Sequence, residues 1–339
     1  MRGWSAMRII PPTTSTRPPP LSAAKGTLRP EALLDWYART ARDLPWRGGR
    51  TSPWGVMVSE VMLQQTPAAR VLPIWQSWMA RWPAPAALAQ ATPADAVRAW
   101  GKLGYPRRAL RLHACARQIV ADFGGVLPSS VEILQSLPGI GAYTARAIAA
   151  FAFGARTPVV DTNVARVLAR AVFGQGQARP SITAADRADM EALLPTDPAQ
   201  AAAFSIAVME LGALVCTTAA PTCPACPVRI DCAWQRDGAP SYLGPRRATQ
   251  RFEGTDRQAR GLLLDVLRGS TAPVDQGALD RVCSDAVQGS RALQSLLTDG
   301  LVEQIADGRF TLAGEGQSDP CQGGWRGSAR TLQPRRRSG

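Results

Sequence analysis

The sequence predicts a mainly α-helical protein, and three observations indicate this fold class. From Pro30 to about Asp237, apolar residues recur at three- and four-residue spacing, which is the period of an amphipathic helix. Ala, Leu and Arg, all good helix formers, dominate these segments. Pro and Gly separate the segments, and no run of residues in this region alternates as a β-strand would. We therefore expect an all-α region of about 210 residues.

The 339 residues are predicted to form two folded parts between basic tails. The predicted order is a disordered tail (1–26), a helical domain (27–237) with a cysteine loop (216–232), a linker (238–256), a small module (257–314) and a second disordered tail (315–339). The tails are rich in polar residues, Pro or Arg, and carry +4 and +3 of the net charge. In the small module, two helices precede two short strands around an Asp-Gly turn. This order is typical of a winged-helix-like module.

The excess of basic residues points to a polyanionic partner. Lys and Arg number 39 against 26 Asp and Glu, giving +13, and nucleic acid is the commonest partner of so basic a chain. The single histidine, His113, excludes His-based zinc hydrolases and Ser-His-Asp or Cys-His catalysis unless it serves alone. The N-terminus lacks an apolar signal segment, and no stretch of about 20 apolar residues occurs. We expect a soluble, cytoplasmic protein that does not engage a membrane.

Four of the seven cysteines form a cluster within 17 residues. Cys216, Cys223, Cys226 and Cys232 follow the spacing x6, x2, x5, with prolines that fold the loop back. Four thiolates arranged in this way favour a [4Fe–4S] cluster over the alternatives, a four-cysteine zinc site or unligated thiols. The other three, Cys115, Cys283 and Cys321, are isolated and are interpreted as ordinary core or tail residues.

Two carboxylates are predicted to occupy different surroundings. Glu60 lies among apolar residues in WGVMVSEVMLQQT, where desolvation would raise its pKa and keep it protonated. The alternative is a carboxylate at a helix start, favoured by the macrodipole. Asp161 ends an apolar run and begins a helical one, so we expect an N-cap that stays ionised. An acid beside an anion is the pairing that cleavage of a glycosidic bond requires.

The segment LPGIG lies between two predicted helices. Gly139 and Gly141 permit a tight turn that exposes backbone N–H groups at the start of the second helix, an arrangement suited to a DNA phosphate. A plain interhelical turn is the alternative.

Taken together, the motifs resemble the MutY-type adenine DNA glycosylases of the helix-hairpin-helix superfamily, which also holds endonuclease III. The blocks SEVMLQQTP, LGYPRRALRLH, LPGIGAYTARAIAAF, VVDTNVARVLAR and MELGALVC occur in the family's order, over roughly residues 30–235. The resemblance implies two α-helical subdomains with the active site in the cleft between them. One subdomain carries the helix-hairpin-helix and the other the loop that holds a [4Fe–4S] cluster.

The resemblance also implies roles for single residues. Glu60 matches the general acid that protonates adenine at N7, and Asp161 the carboxylate that stabilises or traps the oxocarbenium ion. Asn163 supports that carboxylate, and Tyr143 lies near the reaction centre. The residues implied to contact the base or the DNA are Trp46, Arg47, Gln64, Gln65, Tyr105, Gly139, Gly141 and Glu210.

Three features of the sequence differ from the family pattern. Tyr105-Pro106 stands where a Tyr-Tyr pair is frequent, and Asp161-Thr162-Asn163 where Asp-Gly-Asn is common. No Nudix signature, associated in the family with reading 8-oxoguanine, follows residue 238.

The function implied is excision of adenine mispaired with 8-oxoguanine or guanine in double-stranded DNA, leaving an abasic site. Tyr143 stands where endonuclease III has a Schiff-base lysine, so a monofunctional enzyme is expected. Two alternatives stay open: an endonuclease III-like glycosylase/lyase for oxidised pyrimidines, and a non-enzymatic iron–sulfur DNA-binding regulator. We expect a nucleoid-associated monomer.

Overall fold

The fold was analysed in a computed structural model, which describes residues 24–240 and 252–316. Most of the predicted first tail, the centre of the predicted linker and most of the second tail, including Cys321, lie outside the described residues. The described residues form fifteen α-helices and one pair of strands, which confirms the mainly α fold class. None of these helices is long and apolar enough to cross a membrane.

The described chain divides into two compact units. Among the described residues, one unit comprises 24–89 together with 114–240, and the other comprises 90–113 together with 252–316. The predicted boundaries at 237 and 257 place residues 90–113 in the helical domain instead, and they stay a prediction.

The helices of the first unit, in chain order, are α1 (Pro30–Thr40), α2 (Pro53–Leu63), α3 (Ala68–Arg81), α4 (Pro85–Ala89), α7 (Val131–Ser136), α8 (Ala142–Phe153), α9 (Thr162–Val167), α10 (Ala184–Leu193), α11 (Pro198–Leu214) and α12 (Ala233–Arg236). A π-helical turn (Leu168–Val172) continues α9, and a 3₁₀ turn (Cys223–Ala225) lies in the cysteine loop. Those of the second unit are α5 (Pro93–Trp100), α13 (Asp256–Gly269), α14 (Gln276–Asp280) and α15 (Ala286–Thr298), while α6 (Arg107–Phe123) contributes residues to both.

Sequence signals explain where several helices begin. Ser52 caps α2 by accepting a hydrogen bond from the Gly55 N–H, and Pro53 follows at the first helical position. Asp197 caps α11 in the same way, again with a proline next in the chain. The first-turn N–H groups have no partner inside the helix, so these side chains fix the helix starts.

The core of the first unit lies where α1, α9 and α11 pack together, around residues such as Trp36, Val164 and Phe204. A second set of contacts joins α2 to α8 and α3. Residues Trp54 to Met62 of α2 are all buried, so this helix is surrounded by protein on every side.

In the second unit, α13 packs against α15, and β1 (Val302–Gln304) pairs antiparallel with β2 (Phe310–Leu312). The Asp-Gly turn joins the strands, with Gly308 at a φ of 86°. Val274 forms an isolated bridge with Phe310. The helices and hairpin predicted from the sequence are present, α14 was not anticipated, and the winged-helix-like assignment stays a prediction.

Gly26 lies where the surrounding backbone leaves no space for a side chain. An added Cβ would lie 2.2 Å from the Ala171 carbonyl and 2.5 Å from the Asp231 carbonyl. We expect Gly26→Ala to lower the free energy of unfolding by about 1–3 kcal/mol, as overpacking does.

Gly261 is the matched control, since it lies inside α13 with nothing near its Cβ position. Gly261→Ala should raise stability by up to about 1 kcal/mol through helix propensity. Thermal unfolding of both variants tests this pair, and equal effects of the two changes would contradict it.

Candidate active site

Glu60 lies in the interior of α2, enclosed by the apolar residues that make this helix buried on all sides. Its side chain is only 7% exposed. Desolvation raises the pKa of Glu60 to about 7, the negative charge of Asp161 adds to this, and Arg47 and a hydrogen bond with Tyr143 act in the opposite direction. The helix-start alternative is wrong, because α2 begins at Pro53. The burial of this carboxyl, expected from the sequence, is confirmed, and its role as an acid stays a prediction.

Tyr143, in the first turn of α8, points its hydroxyl at the Glu60 carboxyl. Burial, and then the charges of Glu60 and Asp161, raise the pKa of Tyr143 well above its ordinary value. The phenol therefore stays neutral, and its hydroxyl donates a hydrogen bond to the Glu60 carboxylate.

Asp161 caps α9, as the sequence predicted. Its Oδ1 accepts from the Val164 N–H at 2.7 Å and its Oδ2 from the Asn163 amide at 2.8 Å. The pKa of Asp161 is raised overall, because burial raises it by more than those hydrogen bonds and the Arg166 charge lower it. The prediction from the sequence that Asp161 stays ionised did not account for its burial. This burial comes from the packing around the start of α9.

The two carboxyl groups therefore differ in their partners rather than in burial alone. Asp161 receives N–H donors that stabilise the charged form, while Glu60 has apolar neighbours and a negative charge nearby. When the pair holds one proton, Glu60 is the group that retains it.

Arg166 supports Asn163 and was missed by the sequence reasoning. Its guanidinium donates to Asn163 Oδ1 at 2.8 Å, the Gly212 carbonyl at 2.7 Å and the Cys216 carbonyl at 2.7 Å. One buried side chain thus connects the Asp161 region to the first cysteine of the loop. A usable signal was its position in the apolar run VARVLARAV, where a cation must have partners.

Glu210, on α11, is fully buried between two arginines. Arg42 contacts both of its carboxylate oxygens at 2.8 and 2.7 Å, and Arg47 contacts Oε2 at 2.8 Å. Burial alone would raise the pKa of Glu210, but the two arginines lower it to about 2. Glu210 therefore stays ionised and holds the Arg47 guanidinium in place. Its second partner, Arg42, was not revealed by the sequence. The predicted contact of Glu210 with the base or the DNA stays a prediction.

Trp46 is buried, with its ring edge-on to Trp75 at a centroid distance of 5.5 Å. The structure thus places Trp46 in the core, next to Arg47. Its predicted contact with a base stays a prediction.

Gln64 and Gln65 follow the last turn of α2. The Gln64 amide donates to the Thr144 hydroxyl at 3.2 Å, which places it next to Tyr143 on α8. Gln65 adopts a φ of 53°, a left-handed conformation that is rare for a residue with a side chain. Their predicted contact with the base or the DNA stays a prediction. Gln65 carries the backbone strain typical of functional positions.

The hairpin between α7 and α8 has the expected geometry. Gly139 adopts a φ of 80°. Gly141 is the N-cap residue of α8 and, having no side chain, does not cap the first N–H groups of this helix. Both glycines are exposed. A helix-hairpin-helix is therefore confirmed, and phosphate binding at it stays a prediction.

Tyr105 belongs to the second unit, where it is 42% exposed and has a φ of 48°. Gly104, before it, has a φ of 81°, so two successive residues are left-handed. This turn presents the tyrosine ring to solvent, and its predicted contact with DNA stays a prediction.

The four clustered cysteines line one cavity of about 360 Å³, a volume that includes open solvent. Arg170 approaches the Cys216 sulfur at 3.5 Å, and the Gln235 amide donates to the Cys223 sulfur at 3.3 Å. Across residues 24–240 and 252–316, no three Cys, His, Asp or Glu side chains gather tightly enough to hold a single metal ion.

The fold and this pair of carboxyl groups place the chain in a known class. Residues 58–190 match the HhH-GPD superfamily of base excision DNA repair proteins. A thermostable thymine-DNA glycosylase structure aligns with a TM-score of 0.55 at 25% identity, over 61% of this chain and 95% of that one.

Closer relatives identify the branch. The chain is 56% identical over 285 residues to an adenine DNA glycosylase of Mycobacterium tuberculosis, covering 84% of this chain and 93% of the relative. An adenine DNA glycosylase of Mycolicibacterium smegmatis is also 56% identical, over 86% of this chain and 98% of that protein. The chain therefore belongs to the MutY-type adenine DNA glycosylases, and the resemblance found in the sequence is confirmed.

The Glu60 environment makes a prediction about stability. The folded protein holds this proton more tightly than the unfolded chain, so ionisation as pH rises toward and past 7 opposes folding. Glu60→Gln removes the ionisation. We expect its unfolding free energy, relative to wild type, to increase by about 2–3 kcal/mol between pH 5 and pH 8.

Glu210→Gln is the control, because the pKa of Glu210 is about 2 and the group stays ionised throughout that range. This variant should lower stability by a similar amount at both pH values. Urea unfolding of both variants decides the point, and a pH-independent effect of Glu60→Gln would contradict the assignment.

Proposed function

We propose that this protein excises adenine mispaired with 8-oxoguanine or guanine from double-stranded DNA, leaving an abasic site. The observation that carries the proposal is the buried Glu60 carboxyl, with a pKa of about 7, close to the hydrogen-bonded Asp161. The identity to adenine DNA glycosylases over most of the chain supports adenine as the base.

Glu60 supplies the acid. Its proton passes to N7 of the extruded adenine, so the base departs without accumulating negative charge when the glycosidic C–N bond breaks. A pKa of about 7 suits this step, because the group is protonated in a useful fraction of molecules and still transfers its proton readily. Tyr143, as a neutral donor, orients the carboxyl and stabilises the carboxylate that results.

Asp161 supplies the anion. The bond electrons leave with adenine, and the sugar becomes an oxocarbenium ion that a fixed negative charge stabilises. Val164 and Asn163 hold the Asp161 carboxylate in one orientation, and Arg166 holds Asn163 in turn. Water then adds hydroxide to the sugar carbon, and its remaining proton returns to Glu60.

The same site argues for a monofunctional enzyme. A lyase step through a Schiff base needs an amine nucleophile, and the side chain nearest Glu60 on α8 is the phenol of Tyr143. We therefore propose that the enzyme hydrolyses the glycosidic bond without cleaving the DNA strand. An endonuclease III-like glycosylase/lyase would cleave the strand as well.

The basic chain meets its substrate through phosphate contacts, so affinity should fall steeply with salt. The hairpin at Gly139 and Gly141 offers backbone N–H groups. Arg47, whose charge acts on Glu60, and Gln64, which donates to the neighbour of Tyr143 in the chain, are the proposed partners for the base. Extruding a base costs a few kcal/mol, and less for a mispaired one, which favours mispaired adenine. We propose that the protein acts as a monomer.

The four loop cysteines fit a [4Fe–4S] cluster. They line one cavity, and N–H groups of Arg170 and Gln235 point at two of the sulfurs, as donors around such clusters do. Cys216, Cys223, Cys226 and Cys232 would hold it, and when bound it would tie the loop together rather than take part in the hydrolysis. Arg229 also lines the cavity, so the same loop carries positive charge near its surface.

Single-turnover release of adenine tests the reaction. We expect rapid release opposite 8-oxoguanine and guanine and slow release opposite cytosine. Glu60→Gln should lower the rate at least about 100-fold, since it removes general-acid catalysis. In wild type the rate should fall as pH rises through about 7, because Glu60 loses its proton there.

Glu31→Gln provides the control, as Glu31 is an exposed glutamate on α1 and should keep the wild-type rate and pH profile. Wild-type release by Glu60→Gln would refute the catalytic assignment. Enzyme trapped on DNA by borohydride would favour the lyase alternative instead.

The cofactor has its own test. The purified protein should show broad absorbance near ~400 nm, which a zinc site would lack. Cys226→Ser should reduce this absorbance strongly, whereas Cys283→Ser should not, because Cys283 lies in the second unit. A colourless protein containing zinc would disprove the cluster.

A further inference from the structure

The second unit contains a stack in which aromatic rings and guanidinium groups alternate. Arg108 lies over Trp100 at 5.0 Å and over Tyr105 at 5.6 Å from the ring centroids. Arg257 lies over Tyr105 at 4.6 Å and over Phe252 at 6.0 Å. Residues from two distant parts of the sequence, 100–108 and 252–257, thus form one continuous series.

This stack runs from the core to the surface. Trp100 is fully buried and Arg108 is buried, whereas Tyr105 is 42% and Phe252 55% exposed. Tyr105 is also held in a left-handed backbone conformation. Large rings exposed at the outer end, in a strained turn, are the arrangement expected of a binding surface rather than of core packing.

Arg257 differs from most basic residues around it. Six arginines and one lysine of this unit have carboxylate partners: Arg98, Lys102, Arg107, Arg260, Arg268, Arg291 and Arg309. Within residues 252–316 and 90–113, no carboxylate is paired with Arg257. The neighbouring Asp256 instead binds Arg291 through both oxygens.

An exposed guanidinium that is held by rings on two sides keeps its charge available while losing little conformational freedom on binding. Planar guanidinium groups suit phosphate oxygens, and aromatic faces suit unpaired or partly unstacked bases. One surface that offers both fits a nucleic acid strand better than a protein or a small anion.

We propose that Arg257, with Phe252 and Tyr105, forms a DNA-binding site on the second unit. Arg257 contacts a backbone phosphate there, and the exposed rings contact a neighbouring base or sugar. This inference rests on the proposed function for the identity of the nucleic acid. It assigns a function to Phe252 and Arg257, which lie outside the family match at 58–190, and places them beside Tyr105, which lies inside it.

The test compares Arg257→Ala with Arg281→Ala. Arg281 is an exposed arginine of the same unit that lies outside the stack, so both variants remove one positive charge. The first probe is a fluorescein-labelled, fully paired duplex, whose dissociation constant is measured by anisotropy across a salt series. Arg257→Ala should weaken binding about five- to tenfold and reduce the salt slope by about one, while Arg281→Ala changes the slope by much less.

The second probe is a duplex with adenine opposite 8-oxoguanine, under single turnover. Arg257→Ala should raise the half-saturating enzyme concentration about fivefold and leave the limiting rate of adenine release unchanged. Arg257→Lys should restore the salt slope, because it restores the charge, but not the full affinity, because it cannot stack as a guanidinium does. Phe252→Ala should weaken binding without changing the slope.

Equal effects of Arg257→Ala and Arg281→Ala would overturn the proposal, as would unchanged binding by Arg257→Ala. A lowered thermal midpoint of Arg257→Ala with an unchanged salt slope would also overturn it, and would assign the stack a purely structural task. If wild type releases no adenine, the proposed function fails, yet the fully paired duplex still tests Arg257.

Discussion

The desolvation of one carboxyl group organises this molecule. Glu60 lies in a helix whose residues from Trp54 to Met62 are all buried, so its surroundings disfavour its charge and raise its pKa to about 7. Every other feature of the site responds to that condition. The Tyr143 hydroxyl donates a hydrogen bond to Glu60. Asp161 accepts hydrogen bonds that stabilise its charged form. The ionised Glu210 holds Arg47 in place.

Buried charges impose a demand that reaches well beyond the site. Glu210 binds Arg42 and Arg47. The Arg166 guanidinium donates to four acceptors, which belong to Asn163, Gly212, Cys216 and Thr162. Removing the side chain of Glu210 or of Arg166 would leave several buried polar groups without hydrogen-bond partners. The resulting losses of stability are large and not additive. The polar network therefore makes the separate helices α9 and α11 behave as one support for the carboxyl pair.

The sequence was sufficient where local chemistry decides the outcome. Helix periodicity, the Asp161 cap, the Gly139 turn and the apolar surroundings of Glu60 all follow from neighbours within a few residues. It was insufficient where distant segments meet. Arg42 and Glu210 are 168 residues apart, and the burial that raises the pKa of Asp161 comes from packing that no local pattern records. The same holds for Tyr105, whose partner Arg257 is distant in sequence and invisible to motif reasoning.

Gln65 and Tyr105 share one property: each is a residue with a side chain in a left-handed backbone conformation, at a cost of roughly 1–2 kcal/mol. Glycine or asparagine would adopt the same conformation at lower cost. Selection for thermal stability alone would therefore tend to replace both residues and would remove the side chains that the turns present. At these two turns, a gain in stability would therefore come at the expense of side chains that are proposed to contact DNA.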